Sequence, residues 1–280
     1  MDRLAAEEGS KDFSEPLATA SAEEADASGK KPVPREETTL SEYVESLLVT
    51  VLLALFGTTF IVQAFKIPSA SMEGTLQIGD HLLVNKFVFG GHDAWYEKLL
   101  PYRALQRGDI IVFKYPFQDH QHFVKRVIGL PGDHLRLSDQ RVYINGRELA
   151  EPYAVHDPGA GYDPLNYSFP PMGNQLYASP VVAEWAREIK KYIHGEEIIV
   201  PPGKYFAMGD NRDHSLDSRY WGFVDRNAIM GRPFLIYWSV EADSTDYGQS
   251  TFWQRLKGIF DTLVHLPQRT RWSRMLRTVH

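Results

Sequence analysis

Residues 46–65 read SLLVTVLLALFGTTFIVQAF, and residues 66–72, which follow directly, read KIPSASM. The first stretch carries no charged residue. Because an α-helix rises about 1.5 Å per residue, a run of this length spans about 30 Å, the hydrocarbon core of a bilayer. We therefore expect one transmembrane helix over residues 43–66, which places Ser71 within a few residues of a membrane surface.

Two other interpretations of the apolar run stay open. The run could form a buried core helix, since Thr50, Thr58, Thr59 and Gln63 dilute its apolar character. It could also belong to a cleaved secretory signal with a small-x-small site at residues 69–71, but the region before it is long and acidic rather than short and basic. Its length and lack of charge favour a retained single-pass anchor.

The distribution of basic residues predicts the orientation of this anchor. Lys30, Lys31 and Arg35 precede the run, whereas Lys66 alone follows it closely. Under the positive-inside rule, the N-terminus is then cytoplasmic and the residues after Lys66 lie outside. Residues 1–42, rich in Ala, Glu, Ser and Asp, are expected to form a disordered cytoplasmic tail.

The composition excludes several classes of function. The chain has 280 residues, of which 43% are apolar, a net charge of −6 and no cysteine. Without cysteine there is no thiol nucleophile, no disulfide framework and no cysteine zinc site. An acidic balance without a basic cluster is unlike a nucleic-acid-binding protein, so we expect no nucleic-acid partner.

Beyond the apolar run, the pattern predicts a β domain. Short apolar runs bounded by Gly-Asp pairs follow one another, for example at residues 109–113 and 124–128. The pair Asn145 and Gly146 indicates a hairpin with a type I′ turn. Short strands at close spacing favour an irregular, mostly antiparallel β domain over residues 67–240.

Two further segments differ from this domain in composition. Residues 150–196 are rich in Pro, Gly and Tyr, and they indicate an inserted subdomain with one helix that is capped by Ser179 and runs to about Ile193. Residues 241–280 form an amphipathic and basic C-terminal extension. A helix at residues 252–264 would either pack on the domain or lie on an anionic membrane surface, and the sequence leaves both open.

A serine hydroxyl becomes a strong nucleophile when a base removes its proton, and Lys125 is the candidate base. It has the most apolar neighbourhood of any lysine beyond the apolar run, and in a strand it shares one face with Phe123 and Val127. Burial would lower the pKa of its ammonium group toward neutrality. A lysine that reaches water from a strand edge remains the alternative. The pair His120 and His122 could bind metal, but no third ligand is evident, so we expect a polar loop there.

Four stretches, in this order, resemble the sequence boxes of the bacterial type I signal peptidases. They are PSASM at residues 68–72 with its continuation GDHLLVNK at residues 79–86, RGDIIVF at residues 107–113, VKRVIGLPGD at residues 124–133 and GDNRDHSLDSRYWG at residues 209–222. Four such boxes behind an apolar anchor make the resemblance specific.

The resemblance implies a role for each matched residue. Ser71 corresponds to the nucleophile and Lys125 to its general base. Ser69 corresponds to the residue whose hydroxyl stabilises the oxyanion together with the Ser71 amide, and Ser215 to the serine that orients the lysine ammonium. Asp217 and Arg219 correspond to a supporting polar pair, and Asp210 and Arg212 to residues that brace the same loop. Met72 corresponds to a residue near the substrate pocket. The resemblance implies no metal and no cofactor.

The fold that the resemblance implies is mainly β, an irregular antiparallel domain of the signal-peptidase and LexA-like type with one N-terminal transmembrane helix and an insertion. The implied function is a serine endopeptidase of the bacterial cytoplasmic membrane, with its catalytic domain on the extracytoplasmic side, that removes signal peptides from preproteins. The alternatives are a self-cleaving Ser–Lys protease of the LexA type and a catalytically silent membrane-anchored binding domain. The oligomeric state stays open. His214 departs from the family pattern, in which many members have Asn.

Overall fold

The computed structural model describes residues 40–89, 102–117, 121–171, 179–241 and 267–280. The chain divides into two compact units, residues 1–47 and 48–280. Of the predicted cytoplasmic tail, residues 40–42 are described and are helical. The rest of that prediction falls outside the described residues.

Helix α1, Leu40–Phe56, carries most of the apolar run and continues as a π-helical turn, Gly57–Ile61. Glu42 lies in its first turn, where a carboxylate is favourable beside the positive end of the helix dipole. No side chain of α1 is buried. Among the described residues, only the helical segment Leu40–Thr59 is long and apolar enough to cross a bilayer.

The prediction of a helix through residue 66 is wrong at its C-terminal end. Val62–Lys66 is strand β1, which pairs antiparallel along its whole length with strand β2, Asp80–Asn85. The stretch contains a β-branched and an aromatic residue, which fit a pleated sheet well. A sheet edge is available beside it, so backbone pairing replaces the last turn of the expected helix.

The larger of two sheets contains β1, β2 and six further strands. These are β3 Ile110–Lys114, β4 His122–Gly129, β11 Lys204–Met208, β12 Val224–Asp225, β13 Ile229–Ser239 and β14 Arg277–Thr278. Their order is β1-β2-β13-β3-β4-β11-β12, with β14 added to β13, and all pairs are antiparallel. The prediction of a mainly antiparallel β fold is confirmed.

A second antiparallel sheet follows β4 in the chain. It contains β5 His134–Ser138, β6 Arg141–Ile144, β7 Arg147–Glu148, β8 Ser168–Phe169, which follows helix α2 Pro164–Tyr167, β9 Ile193–His194 and β10 Glu197–Ile199. Asn145 and Gly146 join β6 to β7 with φ values of 53° and 76°, as a type I′ turn requires, so the predicted hairpin is confirmed. Because β5 pairs with β8 and β10 as well as with β6, the sheet that contains the predicted insertion begins before residue 150.

The helix expected from Ser179 to about Ile193 is shorter than predicted. Helix α3 is Ala183–Glu188, and a 3₁₀ turn, Ile189–Lys191, ends it. The Ser179 hydroxyl donates to Asp163 Oδ1 over 2.6 Å instead of capping a helix. Val182, just before α3, has an extended backbone. A tertiary hydrogen bond therefore takes the side chain that the sequence pattern assigned to the helix N-terminus.

Two apolar clusters form the interior of the domain. The larger cluster includes Ile111, Phe113, Val127, Leu135, Leu137 and Phe206. The smaller one, which we call the turn cluster, includes Ile67, Met72, Leu76, Leu82 and Val279. Since Val279 belongs to it, the described C-terminal residues 267–280 pack on the β domain. The helix predicted at residues 252–264 lies outside the described residues.

Leu82 tests the contribution of the turn cluster to stability. Its side chain is fully buried, so we expect Leu82→Ala to lower the free energy of unfolding by about 2–5 kcal/mol. Leu276 is 71% exposed, and Leu276→Ala should change it by less than about 0.5 kcal/mol. Urea unfolding in detergent, followed by tryptophan fluorescence, measures both. Equal losses for the two variants would contradict the assignment of the core.

Candidate active site

Ser71 lies in a one-turn 3₁₀ helix, Ala70–Met72, just after β1. The turn is held to the sheet because the Ile67 amide donates to Asp80 O over 2.9 Å. Met72 is buried in the turn cluster, and Ser71 itself is 8% exposed. Apolar neighbours on both sides of the serine thus hold its hydroxyl in one place beside β1.

Lys125, in the middle of β4, directs its amine toward this hydroxyl. Its Nζ lies 2.5 Å from Ser71 Oγ, and the residue is 4% exposed. Burial lowers the pKa of Lys125 to about 8; Asp217 opposes this shift and Arg219 adds to it. The alternative of a lysine that reaches water is therefore wrong, because the amine faces the interior.

The Ser71–Lys125 contact opens onto a cleft of about 300 Å³. Ser69 lies on its wall with Oγ 3.4 Å from Ser71 Oγ, and Met72 lines it as well. Most of the other lining side chains are apolar, among them Phe65, Ile67, Pro68, Phe123, Val124 and Leu216. The arrangement suits an apolar or small-residue ligand whose reacting group meets the serine.

Ser215 is buried behind the Ser71 turn, and its Oγ has no hydrogen-bond partner among the residues that the structure describes. A Cβ at Gly209 would fall 2.3 Å from both Ser215 Oγ and Ser71 O, so only glycine permits this close approach. The hydrogen bond to the Lys125 ammonium that the resemblance implies is not formed in this conformation. The lysine amine contacts Ser71 instead.

Asp217 and Arg219 form a buried ion pair at the start of helix α4, Ser218–Trp221. The Arg219 Nη2 and Nε each lie 2.8 Å from an Asp217 oxygen, and the Gly209 amide donates to Oδ2 over 3.1 Å. Burial alone would raise the pKa of Asp217, but the charge and hydrogen bonds of Arg219 outweigh it and the pKa is lowered. The Asp217 carboxylate therefore stays charged and connects the loop at Gly209 to α4.

Asp210 and Arg212 brace the same loop, but each has a partner that the sequence did not reveal. Asp210 accepts two hydrogen bonds of 2.8 Å from Arg126 and one of 2.6 Å from the Thr75 hydroxyl. Arg212 donates to the Glu151 carboxylate over 2.9 and 2.6 Å. Arg126 follows the lysine in β4, and strand alternation was the signal that could have placed it on the opposite face.

The insertion contacts the loop at residues 209–215 directly. Val155 forms an isolated parallel bridge with Asn211 in this loop. The Val155 amide donates to Asp210 O over 2.8 Å, and the Arg212 amide donates to Val155 O over 2.9 Å. His214 Nε2 lies 2.8 Å from the Asp157 carboxylate. The segment after β7 thus covers the loop that carries Ser215, a contact that the sequence did not predict.

The C-terminal segment contacts the residues that follow the Ser71 turn. Arg274 Nη2 donates to Asp80 Oδ2 over 2.6 Å and to Thr75 O over 3.1 Å. Arg126 Nη2 lies 3.4 Å from His280 O. Arg274, a basic residue of this segment, therefore makes its hydrogen bonds within the domain.

The predicted His120–His122 pair is described only at His122, whose ring packs edge-on against Phe65 at 5.5 Å. Within the described ranges, no group of three or more His, Asp or Glu side chains is placed to hold a metal ion. His122 lines the cleft. It therefore belongs to the wall around the serine.

A buried serine hydroxyl in contact with a buried lysine amine, beside a cleft in a mainly antiparallel β domain, is an arrangement in which a base can activate a serine, as hydrolases require. The sequence profile of the family described as "Signal peptidase, peptidase S26" matches residues 40–238. The chain belongs to this family, and the resemblance seen in its four sequence boxes is confirmed.

Individual relatives agree with the family assignment. The chain is 35% identical over 222 residues to "Signal peptidase I" of Pseudomonas aeruginosa, covering 73% of this chain and 74% of the relative. It is 32% identical over 234 residues to "Signal peptidase I" of Aquifex aeolicus, covering 73% and 87%. A crystal structure of a signal peptidase I from Enterococcus faecalis, 32% identical, covers 46% of this chain and 97% of that one with a TM-score of 0.30.

The Arg126–Asp210 pair tests how strongly the loop depends on buried charges. Both side chains are at most 4% exposed, so Arg126→Met should lower the free energy of unfolding by about 3–5 kcal/mol by leaving a buried carboxylate unpaired. The exposed pair of Arg141 and Glu148 is the matched control, and Arg141→Met should cost less than about 1 kcal/mol. Urea unfolding measures both, and a loss at Arg126 no larger than at Arg141 would contradict the buried pair.

Proposed function

We propose that this chain is a membrane-anchored serine endopeptidase that removes signal peptides from exported preproteins, with Ser71 as nucleophile and Lys125 as general base. The observation that carries the proposal is the 2.5 Å contact between Lys125 Nζ and Ser71 Oγ. Membership of the signal peptidase family supports the substrate class. No metal or cofactor is part of the proposal.

The chemistry uses the two protonation states of Lys125. Its neutral amine accepts the Ser71 proton while Oγ attacks the scissile carbonyl, and the resulting ammonium then protonates the leaving amine. Water, activated by the same amine, hydrolyses the acyl ester and regenerates the serine. A pKa of about 8 leaves a useful fraction of the lysine neutral near physiological pH.

The negative charge that develops on the carbonyl oxygen needs donors. We assign this role to the backbone amide of Ser71 and the hydroxyl of Ser69, whose Oγ lies 3.4 Å from Ser71 Oγ at the cleft wall. A donor of this kind contributes about 2.7–4 kcal/mol to lowering the barrier. The buried pairs around the loop, Asp217–Arg219 and Asp210–Arg126, hold the surroundings rigid.

Strand β1 is the proposed docking edge for the substrate. It ends the larger sheet, and its Phe65 and Lys66 line the cleft. An extended peptide can add through backbone hydrogen bonds to a strand at the edge of a sheet, which makes few demands on its sequence. Because alternate side chains of a strand face the same way, the first and third residues before the cut would face the enzyme together. The small cleft then favours small side chains at these two positions.

Helix α1 is proposed to span the bacterial cytoplasmic membrane once, with the catalytic domain on the extracytoplasmic side. The charge asymmetry around the apolar run and the exposed apolar side chains of α1 support this. Enzyme and signal peptide then share one plane, which raises the effective concentration of the substrate.

Single substitutions test the two chemical groups. Ser71→Ala removes the attacking oxygen and Lys125→Ala removes the base, so each should abolish cleavage of a preprotein in detergent, scored by gel shift and mass spectrometry. Near-UV circular dichroism should remain that of the wild type. Near-normal turnover by either variant would refute the mechanism. A serine-directed probe that fails to label Ser71 would favour a silent binding domain.

The pH profile tests the lysine as base. The folded-state pKa lies below the usual value, at about 8, and the neutral form is the active one. The kcat/KM for a soluble peptide should therefore rise with pH, reach half its maximum near pH 8 and level off above it. A rate that is already maximal at pH 6 would contradict a titrating lysine base.

A further inference from the structure

Helix α1 passes into the β domain without a linker. Its π-helical turn ends at Ile61, the residue before β1, and the Val62 amide donates the last hydrogen bond of the turn to Gly57 O. The Thr58 hydroxyl donates to Ala54 O over 2.9 Å. The chain therefore changes from helix to strand within one residue.

Lys86, which follows β2, fastens the end of this helix. Its Nζ donates to Thr59 O over 2.7 Å, and its backbone amide donates to Ile61 O over 2.9 Å. The last carbonyls of a helix have no partner inside the helix and carry the negative end of its dipole, so an ammonium group is favourable there. One residue thus makes two hydrogen bonds to the last turn.

The backbone that carries Lys86 is itself held in place. Strand β2 is paired on both sides, with β1 and with β13. At the end of β2, β13 approaches so closely that a Cβ on Gly231 would fall 2.3 Å from Asn85 O and 3.0 Å from Lys86 Cα. The backbone at the base of the lysine side chain is therefore packed closely against β13, and the amine reaches the helix from the end of a strand that is paired on both sides.

Strand β1 leads from this junction toward the nucleophile. Its five residues rise about 3.4 Å each, and the strand is followed by the turn that holds Ser71. Every residue of β1 is paired with β2. The distance from the helix end to Ser71 is therefore set by paired strand rather than by a flexible segment.

We propose that Lys86 is a positioning residue that fixes the height of Ser71 above the bilayer and thereby determines which peptide bond of a membrane-held substrate meets the nucleophile. This inference rests on the proposed function, in which α1 spans the membrane. Lys86 lies outside the cleft and acts through the end of the helix. Without its ammonium, the helix end loses the hydrogen bond that Lys86 makes to Thr59 O, and the domain can tilt on the membrane.

The test compares Lys86→Met with Lys86→Arg and with the control Lys190→Met, which removes an exposed lysine from the turn after α3. The full-length chain is placed in vesicles of phosphatidylethanolamine and phosphatidylglycerol. Two substrates are used: a preprotein embedded in the same vesicles, and a soluble peptide that covers the same cut. Mass spectrometry identifies the bond that is cleaved, and kcat/KM is measured for each substrate.

Lys86→Met should lower kcat/KM for the embedded preprotein by about tenfold and give additional cuts at neighbouring bonds, since a misplacement of about 1 Å can cost about 100-fold. The soluble peptide should be cleaved within about twofold of the wild-type rate, because its approach does not depend on height. Lys86→Arg should keep both activities, and Lys190→Met should change neither. Equal losses on both substrates, or no loss on either, would overturn the proposal.

A second measurement reports height without catalysis. The chain has no cysteine, so Glu73→Cys, at an exposed position just after the nucleophile turn, introduces one site for a fluorophore. Energy transfer to labelled lipid headgroups should give one narrow distance in the wild type and a shifted or broader one with Lys86→Met. An unchanged distance would overturn the positioning role. A changed distance in a chain that cleaves no preprotein would retain it and reject the proposed function.

Discussion

The burial of the Lys125 amine beside the Ser71 hydroxyl is the constraint on which the rest of the site depends. Water would stabilise the charged amine, and the apolar wall of β4 and the cleft remove that stabilisation, so the pKa falls to about 8. The two charged side chains with the largest effect on its pKa, Asp217 and Arg219, are paired with each other. The lysine is thus left with a hydroxyl as its hydrogen-bond partner in the described structure.

Keeping this geometry requires support from distant parts of the chain. The loop at Gly209–Arg212 approaches the Ser71 turn so closely that the Asn211 amide donates to Ser71 O over 3.2 Å. The insertion holds this loop through Glu151 and Val155, and the C-terminal segment holds the residues after the Ser71 turn through Arg274. Segments that differ in composition from the β domain therefore serve the same small region, because buried charges need a partner wherever they occur.

The junction between α1 and β1 concerns a second requirement of the proposed function, the position of Ser71 relative to the membrane. In the proposed function, a nucleophile that acts on a membrane-held bond must be rigid with respect to the bilayer as well as with respect to its base. One sheet is connected to both places: β2 pairs with the strand that leads to Ser71, and Lys86 at its end contacts the last turn of the helix. Under the proposal, a flexible linker at this point would leave the chemistry intact and the choice of bond undefined.

The sequence by itself determined the apolar run, the antiparallel β class and the Asn145-Gly146 hairpin, because these depend on local periodicity, turn chemistry and residue type. The four sequence boxes implied that Lys125 acts on Ser71, but only the tertiary structure brings the two side chains into contact. Only the tertiary structure decided where the helix ends, since a sheet edge competes for Val62–Lys66. It also decided that Asp210 pairs with Arg126 and Arg212 with Glu151, although these residues lie far apart in the chain. Partner choice among buried charges depends on which strands and loops meet in space, and a pattern of neighbouring residues along the chain contains no information about that.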